Sequence, residues 1–277
     1  MTIGVSTQGL LLLALALAAS GFVMGFLAGL FGIGGGAILV PALYEAFRAI
    51  GVDHDVLMHM CLGTSLAVMV PTTITSFRSH RAKGTVDEAF LKRVAVWIVL
   101  GVIIGALIAR VAPSRTLQWI WAVCGGLLAI KMAFSRDEWV VAKDVPGNWV
   151  TEAVSFLIGL ASTLMSIGGA SIMVAFMTMF GRPLMPSIST SSGLGPLIAI
   201  PGTIGFIWAG WGVTNLPPFS IGYVSLLGAA VIVPVSVYAA PIGVRVGHGL
   251  PKRKMEVAFA AFLGLMSLRF LVGAIFD

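Results

Sequence analysis

The stretch Gly32-Ile33-Gly34-Gly35-Gly36 decides the fold of this chain, because it places four glycines within an otherwise apolar run. Glycine has no Cβ and is a poor helix former, so the cluster predicts an interruption in a helix. A weaker copy follows in the second half of the chain as Ser166-Ile167-Gly168-Gly169-Ala170. The two interruptions suggest that the chain consists of two related halves.

Composition sets the class of protein. Hydrophobic residues make up 58% of the 277, the mean hydropathy is +1.02, and 10% of the residues are charged, against about 25% in soluble domains. Leu10–Leu30 carries no charge and is long enough for a helix to cross the hydrocarbon of a bilayer, which takes about 20 residues. The sequence therefore predicts an all-α integral membrane protein. In such a chain the net charge of +6 reports topology and is no sign of nucleic-acid binding.

The apolar segments and short motifs recur in the same order in both halves. Ile33-Gly34-Gly35 aligns with Ile167-Gly168-Gly169 at an offset of 134, and Gly63-Thr64-Ser65 resembles Ser189-Thr190-Ser191 at an offset of 126. Near the ends of the halves, Pro113-Ser114-Arg115 aligns with Pro251-Lys252-Arg253 at an offset of 138. The predicted segments are about 10–30, 37–50, 56–77, 90–111, 116–134, 150–165, 170–186, 188–211, 219–243 and 255–275.

The basic residues decide how the two halves are oriented. If each half made four simple crossings, the Lys and Arg residues would divide nine to eight between the faces, against the positive-inside rule. If each glycine-broken segment enters and returns on one side and three crossings follow, the second half is inverted and the division is thirteen to four. The minority face then holds Arg48, Arg110, Arg115 and Arg269. We therefore predict two inverted repeats.

The predicted fold has 8–10 membrane segments. Each repeat consists of a glycine-broken segment, either re-entrant or a full hairpin, followed by three transmembrane helices. The first repeat spans residues 1–134, a cytoplasmic linker spans 135–149, and the inverted second repeat spans 150–277. The basic loops are expected in the cytoplasm, with the chain in the cell (inner) membrane.

Several motifs resemble the TauE/SafE sulfite exporter family. The first-half motifs are the residues 31–41 (FGIGGGAILVP), Gly63-Thr64-Ser65-Leu66-Ala67 and Lys83-Gly84-Thr85-Val86-Asp87. The second copy, at 166–171 and 189–192, is similar to the second half of that family but carries Ala170 where the first has Gly36. The resemblance covers nearly the whole chain and implies a membrane carrier for small sulfur-containing or other organic anions, such as sulfite, thiosulfate or a sulfonate.

The glycine breaks are the first candidate binding site. An interrupted helix leaves unpaired N–H groups and the positive end of a dipole at the start of its second part, and such groups bind anions. Paired breaks in two halves point to the binding site of a carrier, although close helix packing through small residues is the structural alternative. The candidate residues are Gly34, Gly35, Gly36 and Ala37 in the first copy, and Gly168, Gly169, Ala170 and Ser171 in the second.

The hydroxyl residues after each break are the second candidate. Hydroxyls can donate to oxyanions, although Ser and Thr in membrane helices also bond to their own helix carbonyls. The candidates are Thr64, Ser65, Thr190, Ser191 and Ser192. Lys131 and Arg269 occupy equivalent places near the end of the last helix in each half. A cation in hydrocarbon suggests anion contact, while snorkelling to the interface is the alternative.

Other residues carry weaker signals. His59 and Cys61 make a poor ligand set, so no metal and no other cofactor is predicted. The seven Trp residues lie mostly near predicted segment ends, as in an interfacial belt.

These features predict a secondary transporter of a small anion that works by alternating access. An anion channel is a second hypothesis. A membrane enzyme acting on a lipid phosphate is a third, and it is disfavoured because no His or carboxylate flanks either break. The expected partners are the anion, the lipid bilayer, a coupling ion (proton or sodium) and, as a homodimer, a second copy of the chain. Exchange kinetics in proteoliposomes would separate carrier from channel.

Overall fold

The computed structural model describes residues 7–31, 36–134, 145–147, 149–246 and 252–276. The described chain is almost entirely helical, as the composition predicts. Its helices are α1 (Thr7–Phe31), α2 (Gly36–Ala49), α3 (His54–Arg81), α4 (Glu88–Val111), α5 (Ser114–Phe134), α6 (Trp149–Met165), α7 (Ala170–Met179), α8 (Leu184–Ser192), α9 (Leu194–Ala209), α10 (Leu226–Val246) and α11 (Lys252–Phe276). A short antiparallel hairpin, β1 (Ser220–Ile221) and β2 (Val224–Ser225), precedes α10.

Six stretches in the described part of the chain are long and apolar enough to cross a membrane. They are α3, α4, α5, the combined α8–α9 stretch, the first 18 residues of α10 and the last 18 of α11. Many large apolar side chains on these helices are exposed, among them Ile103, Leu127, Ile204 and Leu265. In water this surface would favour aggregation, whereas in a bilayer it faces acyl chains. The chain is therefore a multi-pass α-helical membrane protein.

The sequence-predicted segments agree with the helices except in the middle of the second half. The segment predicted over 170–186 divides into α7, which ends at Met179, and α8, which begins at Leu184. The intervening Gly181 has a positive φ of 75°, and Pro183 is the N-cap of α8. Glycine in the left-handed region ends one helix, and proline fixes the backbone before the next.

Helices of the first half pack most extensively on helices of the second. The largest interfaces join α1 to α10, α4 to α6, α5 to α11 and α3 to α9. A Cβ added at Gly25 of α1 would overlap the backbone carbonyl of Ser236, and one added at Gly159 of α6 would overlap that of Ile98. Gly25 and Gly159 differ by 134 in sequence, while Ile98 and Ser236 differ by 138. These are the offsets that relate the two halves, so equivalent residues make equivalent close backbone contacts.

Two ends of the molecule can be distinguished by their contacts. The basic end, defined by residues 78–93 and Arg182, is held by an ion pair in which Arg182 Nη1 lies 3.1 Å from Asp87 Oδ2. The opposite end is defined by residues 45–55, 110–115, 211–215 and 269–276. There Arg269 Nη2 lies 3.0 Å from Glu45 Oε1, and Arg115 Nε donates to the Ala274 carbonyl at 2.7 Å.

Candidate functional site

The start of α2 lies directly against the second helix break. Gly36, the first residue of α2, is so close to the Ser166 carbonyl that a Cβ at position 36 would overlap the carbonyl oxygen. The same added carbon would lie 3.0 Å from the Met69 sulfur, and the Ser166 hydroxyl lies 3.9 Å from that sulfur. The two halves therefore meet where their glycine motifs occur. Residues 32–35, which include the candidates Gly34 and Gly35, lie outside the described residues.

The second break spans residues 166–169, and two of these residues have a positive φ. Ser166 has φ 52° and Gly169 has φ 53°, and the left-handed region is rare for residues other than glycine. The Ile167 N–H reaches the Ser162 carbonyl at 3.2 Å and the Gly169 N–H reaches the Ile167 carbonyl at 2.7 Å. The break is thus a tight, internally bonded turn, as the glycine cluster predicts.

A buried tryptophan bonds to the end of the helix that precedes this turn. Trp121 of α5 is 0% exposed, and its indole N–H donates to the carbonyl of Met165, the last residue of α6, at 3.1 Å. The bond satisfies one of the carbonyls that the end of a helix leaves without a partner. The interfacial position predicted for most of the Trp residues is therefore wrong for Trp121. This residue lies near the start of a predicted segment, but its side chain packs in the protein interior.

The first turn of α7 contains backbone donors without acceptors. The first regular helical bond runs from the Met173 N–H to the Gly169 carbonyl at 3.1 Å. Among the described residues, no acceptor is bonded to the N–H groups of Ser171 and Ile172. Gly168, Gly169 and Ala170 are buried, and Ser171 and Ile172 are half-buried, so these donors lie next to a buried turn at the positive end of a helix dipole.

Three serine hydroxyls near the breaks also have no hydrogen-bond partner in the described part of the chain. Ser65 lies on α3 one turn before Met69, Ser162 lies beside Gly169, and Ser171 lies in the first turn of α7. A buried hydroxyl left without a partner costs about 1–3 kcal/mol, and most such groups are satisfied in proteins. Unpaired hydroxyls and unpaired N–H groups therefore occur in the same region.

Thr64 and Thr190 have a role that the sequence did not predict. The Thr64 hydroxyl accepts from the Ser225 N–H, and the Thr190 hydroxyl accepts from the Asp87 N–H, both at 2.9 Å. Asp87 in turn caps α4 by accepting from the Phe90 N–H, and Ser225 accepts from the Gly228 N–H in the first turn of α10. The pairs are related by the offsets 126 and 138. Thr64 of α3 thus fixes the start of α10, and Thr190 of α8 fixes the start of α4, so each threonine holds a helix of the other half.

The remaining hydroxyl candidates are buried on α8. Ser192 donates to the Ser189 carbonyl of its own helix at 2.6 Å, which is the structural alternative considered for these residues. The Ser191 hydroxyl lies 3.8 Å from the Met177 sulfur. Because a thioether is a weak acceptor, this bond leaves Ser191 available to a stronger one. Ala37 is fully buried in α2.

The two candidate cations, Lys131 and Arg269, lie at opposite ends of the molecule. Lys131 lies on the exposed side of α5, near its carboxyl end. Arg269 forms the ion pair with Glu45 of α2 at the opposite end. The described residues in contact with the Ser166 turn and the end of α6, namely Gly36, Met69 and Trp121, are neutral.

His59 packs as the sequence suggested. Its Nε2 lies 2.9 Å from the Ala109 carbonyl and 3.1 Å from that of Ala112, and its ring stacks on Tyr223 with centroids 4.7 Å apart. The histidine therefore joins α3 to the end of α4 and to the hairpin. Within the described ranges, no group of three His, Cys, Asp or Glu side chains is arranged to hold a metal ion.

Comparison with known proteins identifies the family whose model matches this chain. The family described as Sulfite exporter TauE/SafE matches residues 17–270. A "Probable membrane transporter protein" of Haemophilus influenzae is 34% identical over 251 residues, which cover 90% of this chain and 94% of the relative. A protein of the same description from Methanocaldococcus jannaschii is 28% identical over 275 residues, covering 98% and 100%. The Bacillus subtilis protein YunE, also described as a probable membrane transporter, is 22% identical over 276 residues. No solved structure matches the chain significantly.

Proposed function

Because the chain belongs to the sulfite exporter TauE/SafE family and is a membrane transporter rather than an enzyme, we propose that it carries a small sulfur-containing or organic anion. Sulfite, thiosulfate and short sulfonates are the candidate substrates. In this proposal the anion binds between the two helix breaks and is released to either side by alternating access.

The observation that carries the proposal is the contact between Gly36 and the Ser166 turn. It joins the two glycine motifs inside the protein, beside the unbonded N–H groups of Ser171 and Ile172. The hydroxyls of Ser65, Ser162 and Ser171 supply further donors without partners among the described residues. An oxyanion has several acceptor oxygens and needs such donors to replace its water. The donors identified among the described residues carry no formal charge, which suits a site that must also release its anion.

The inverted repeat is part of the proposal, and two ion pairs support it. In the inverted arrangement Arg182 shares a face with residues 78–93, whereas in the parallel arrangement it does not. The contact of Arg182 with Asp87 favours inversion. Likewise, Arg269 of α11 shares a face with Arg48 of α2 only in the inverted arrangement. Arg269 pairs with Glu45, which also lies on α2. By the positive-inside rule, the basic end would then be cytoplasmic in the inner membrane.

The bodies that move in alternating access would differ from the two sequence halves. The close backbone contacts of Gly25 with Ser236 and of Gly159 with Ile98 join each half to the other. We propose that α1 moves with α10 and α6 moves with α4, because interfaces formed through glycine resist sliding. The motion of alternating access would then occur at the interfaces where helices are in contact through side chains and not through their backbones.

Flux measurements in proteoliposomes test the function. Thermal-shift screening of purified protein with sulfite, thiosulfate and short sulfonates would identify a ligand, and its uptake would then be measured against concentration. A saturable uptake that accelerates when the vesicles are preloaded with unlabelled anion supports the carrier. Unsaturable flux without acceleration would favour the channel hypothesis, and no flux of any of these anions would contradict the substrate class.

A further inference from the structure

A cavity with a mixed polar and apolar lining opens at the opposite end of the molecule, away from the basic end. Its volume is about 170 Å³, and its lining includes Tyr44, His54, Asp55, Ser114, Arg115 and Gln118. Since one water occupies about 30 Å³ in the liquid, the cavity has room for an anion of a few non-hydrogen atoms. No sequence motif pointed to it, because its lining comes from α2, α3, α5 and α11.

The entrance of the cavity carries the charges. Arg115 donates through Nε to the Ala274 carbonyl at 2.7 Å, and its Nη2 lies 3.5 Å from the Ile275 carbonyl. These bonds fix the guanidinium at the cavity and leave other donors free for an oxyanion. Asp55 is the acidic member of the lining. Its charge opposes an anion, so the cavity suits brief capture better than tight retention.

The inner wall of the cavity is a buried polar and aromatic layer. Gln118 is 6% exposed, and its side-chain N–H₂ lies 3.3 Å from both the Tyr44 hydroxyl and the Phe270 carbonyl. The Tyr44 and Phe270 rings meet edge to face with centroids 4.9 Å apart. Phe270 meets Trp121 in the same way at 4.6 Å.

This layer leads to the second helix break. Trp121 donates to the carbonyl of Met165, which immediately precedes the turn at Ser166. Arg115 and Gln118 both line the cavity, and contacts run from Gln118 through the three rings to the turn that Gly36 touches. The rings separate the cavity from the breaks in this conformation.

We propose that this cavity is an entrance subsite that captures the transported oxyanion, and that Tyr44, Phe270 and Trp121 close the path from it to the helix breaks. The inference rests on the proposed function and adds to it a route and an order of events. The anion first meets Arg115 and then passes the layer of Gln118 and the rings when this layer opens.

Charge variants test the subsite by the sign of their effect. Uptake of radiolabelled sulfite and thiosulfate is measured in vesicles of each orientation for the full-length chain. Arg115→Gln should raise KM about fivefold from the face that carries the cavity, with Vmax changed less than twofold, as expected for one charge contact in a wet cavity. Arg115→Lys should restore most of the affinity, and Asp55→Asn should lower KM from the same face.

Arg110→Gln is the matched control. Arg110 lies at the same end but stacks on Trp208, with Cζ 4.0 Å from the ring centroid, and is not part of the cavity lining. Equal KM changes in Arg110→Gln and Arg115→Gln would overturn the subsite, because a general surface charge would then explain both. A raised KM in Asp55→Asn would also overturn it, and this variant decides the matter if Arg115→Gln does not fold. If the wild-type chain carries neither anion, the proposed function fails instead.

Discussion

The contact between Gly36 and the Ser166 turn makes a one-carbon substitution informative. In Gly36→Ala the new methyl would overlap the Ser166 carbonyl oxygen and would lie 2.8 Å from its carbon and 3.0 Å from the Met69 sulfur. Ordinary contacts of this kind are 3.4–4 Å, and the carbonyl oxygen is the closest of the three atoms, so α2 and the turn must separate by more than about one ångström.

The substitution is expected to lower stability and to reduce transport strongly. Overpacking of this kind costs about 1–3 kcal/mol, and alanine recovers about 1 kcal/mol through its higher helix propensity. Because the atoms that must move belong to the backbone, the cost is expected at the upper end of this range, and the melting temperature should fall by at least a few degrees. Transport should fall at least tenfold, because the donors around the Ser166 turn no longer converge on one point.

Gly126→Ala is the matched control for this variant. Gly126 lies inside α5, and a Cβ there would meet its nearest neighbour, Ser267 Cβ, at 3.8 Å. It makes the same chemical change in a helix without the overlap. Both variants are purified, checked for monodispersity and thermal stability, and assayed for uptake in proteoliposomes. Wild-type uptake in Gly36→Ala, at equal reconstitution, would refute the argument that the two breaks form the binding site.

Three further predictions concern the connections between the halves. Thr190→Val should lower stability by about 1 kcal/mol, because it removes the acceptor of the half-buried Asp87 N–H, whereas Thr190→Ser should not; thermal melting of both variants decides this. Arg182→Gln removes a half-exposed ion pair and should change stability by less than about 1 kcal/mol, so a larger loss in the same melting assay would contradict its assignment to a solvated surface. Ala82→Cys and Thr214→Cys, each in a background lacking Cys61 and Cys124, should react with an impermeant thiol reagent from opposite faces of the membrane; reaction from one face would exclude the inverted repeat.

The helical segments and the second break were predictable because their causes are local. A run without charge predicts a membrane helix, and glycines at 168 and 169 predict the turn that the structure contains. The division of 170–186 into two helices was missed because the apolar pattern alone outweighed Gly181 and Pro183. Turn residues of this kind deserve the greater weight.

Contacts between distant segments were not predictable from the pattern. Nothing in the sequence around Trp121 distinguishes an interfacial tryptophan from one that bonds to Met165. The repeat offsets did contain part of the answer for Thr64 and Thr190, because equivalent positions in two repeats are expected to make equivalent contacts. Their partners Ser225 and Asp87 became apparent only once the helices were packed.

The crossed packing of the helices has a consequence for biosynthesis. α1 ends at Phe31, but its main neighbour α10 begins only at Leu226, so most of the chain must be synthesised before α1 can bury its glycine-containing face. During that interval the early helices lie in the lipid or against the insertion machinery without their main packing partners. A nascent chain that stops after residue 134 would lack the neighbours of both α1 and α4. Expressed as two separate fragments, the halves should accumulate together and be degraded singly.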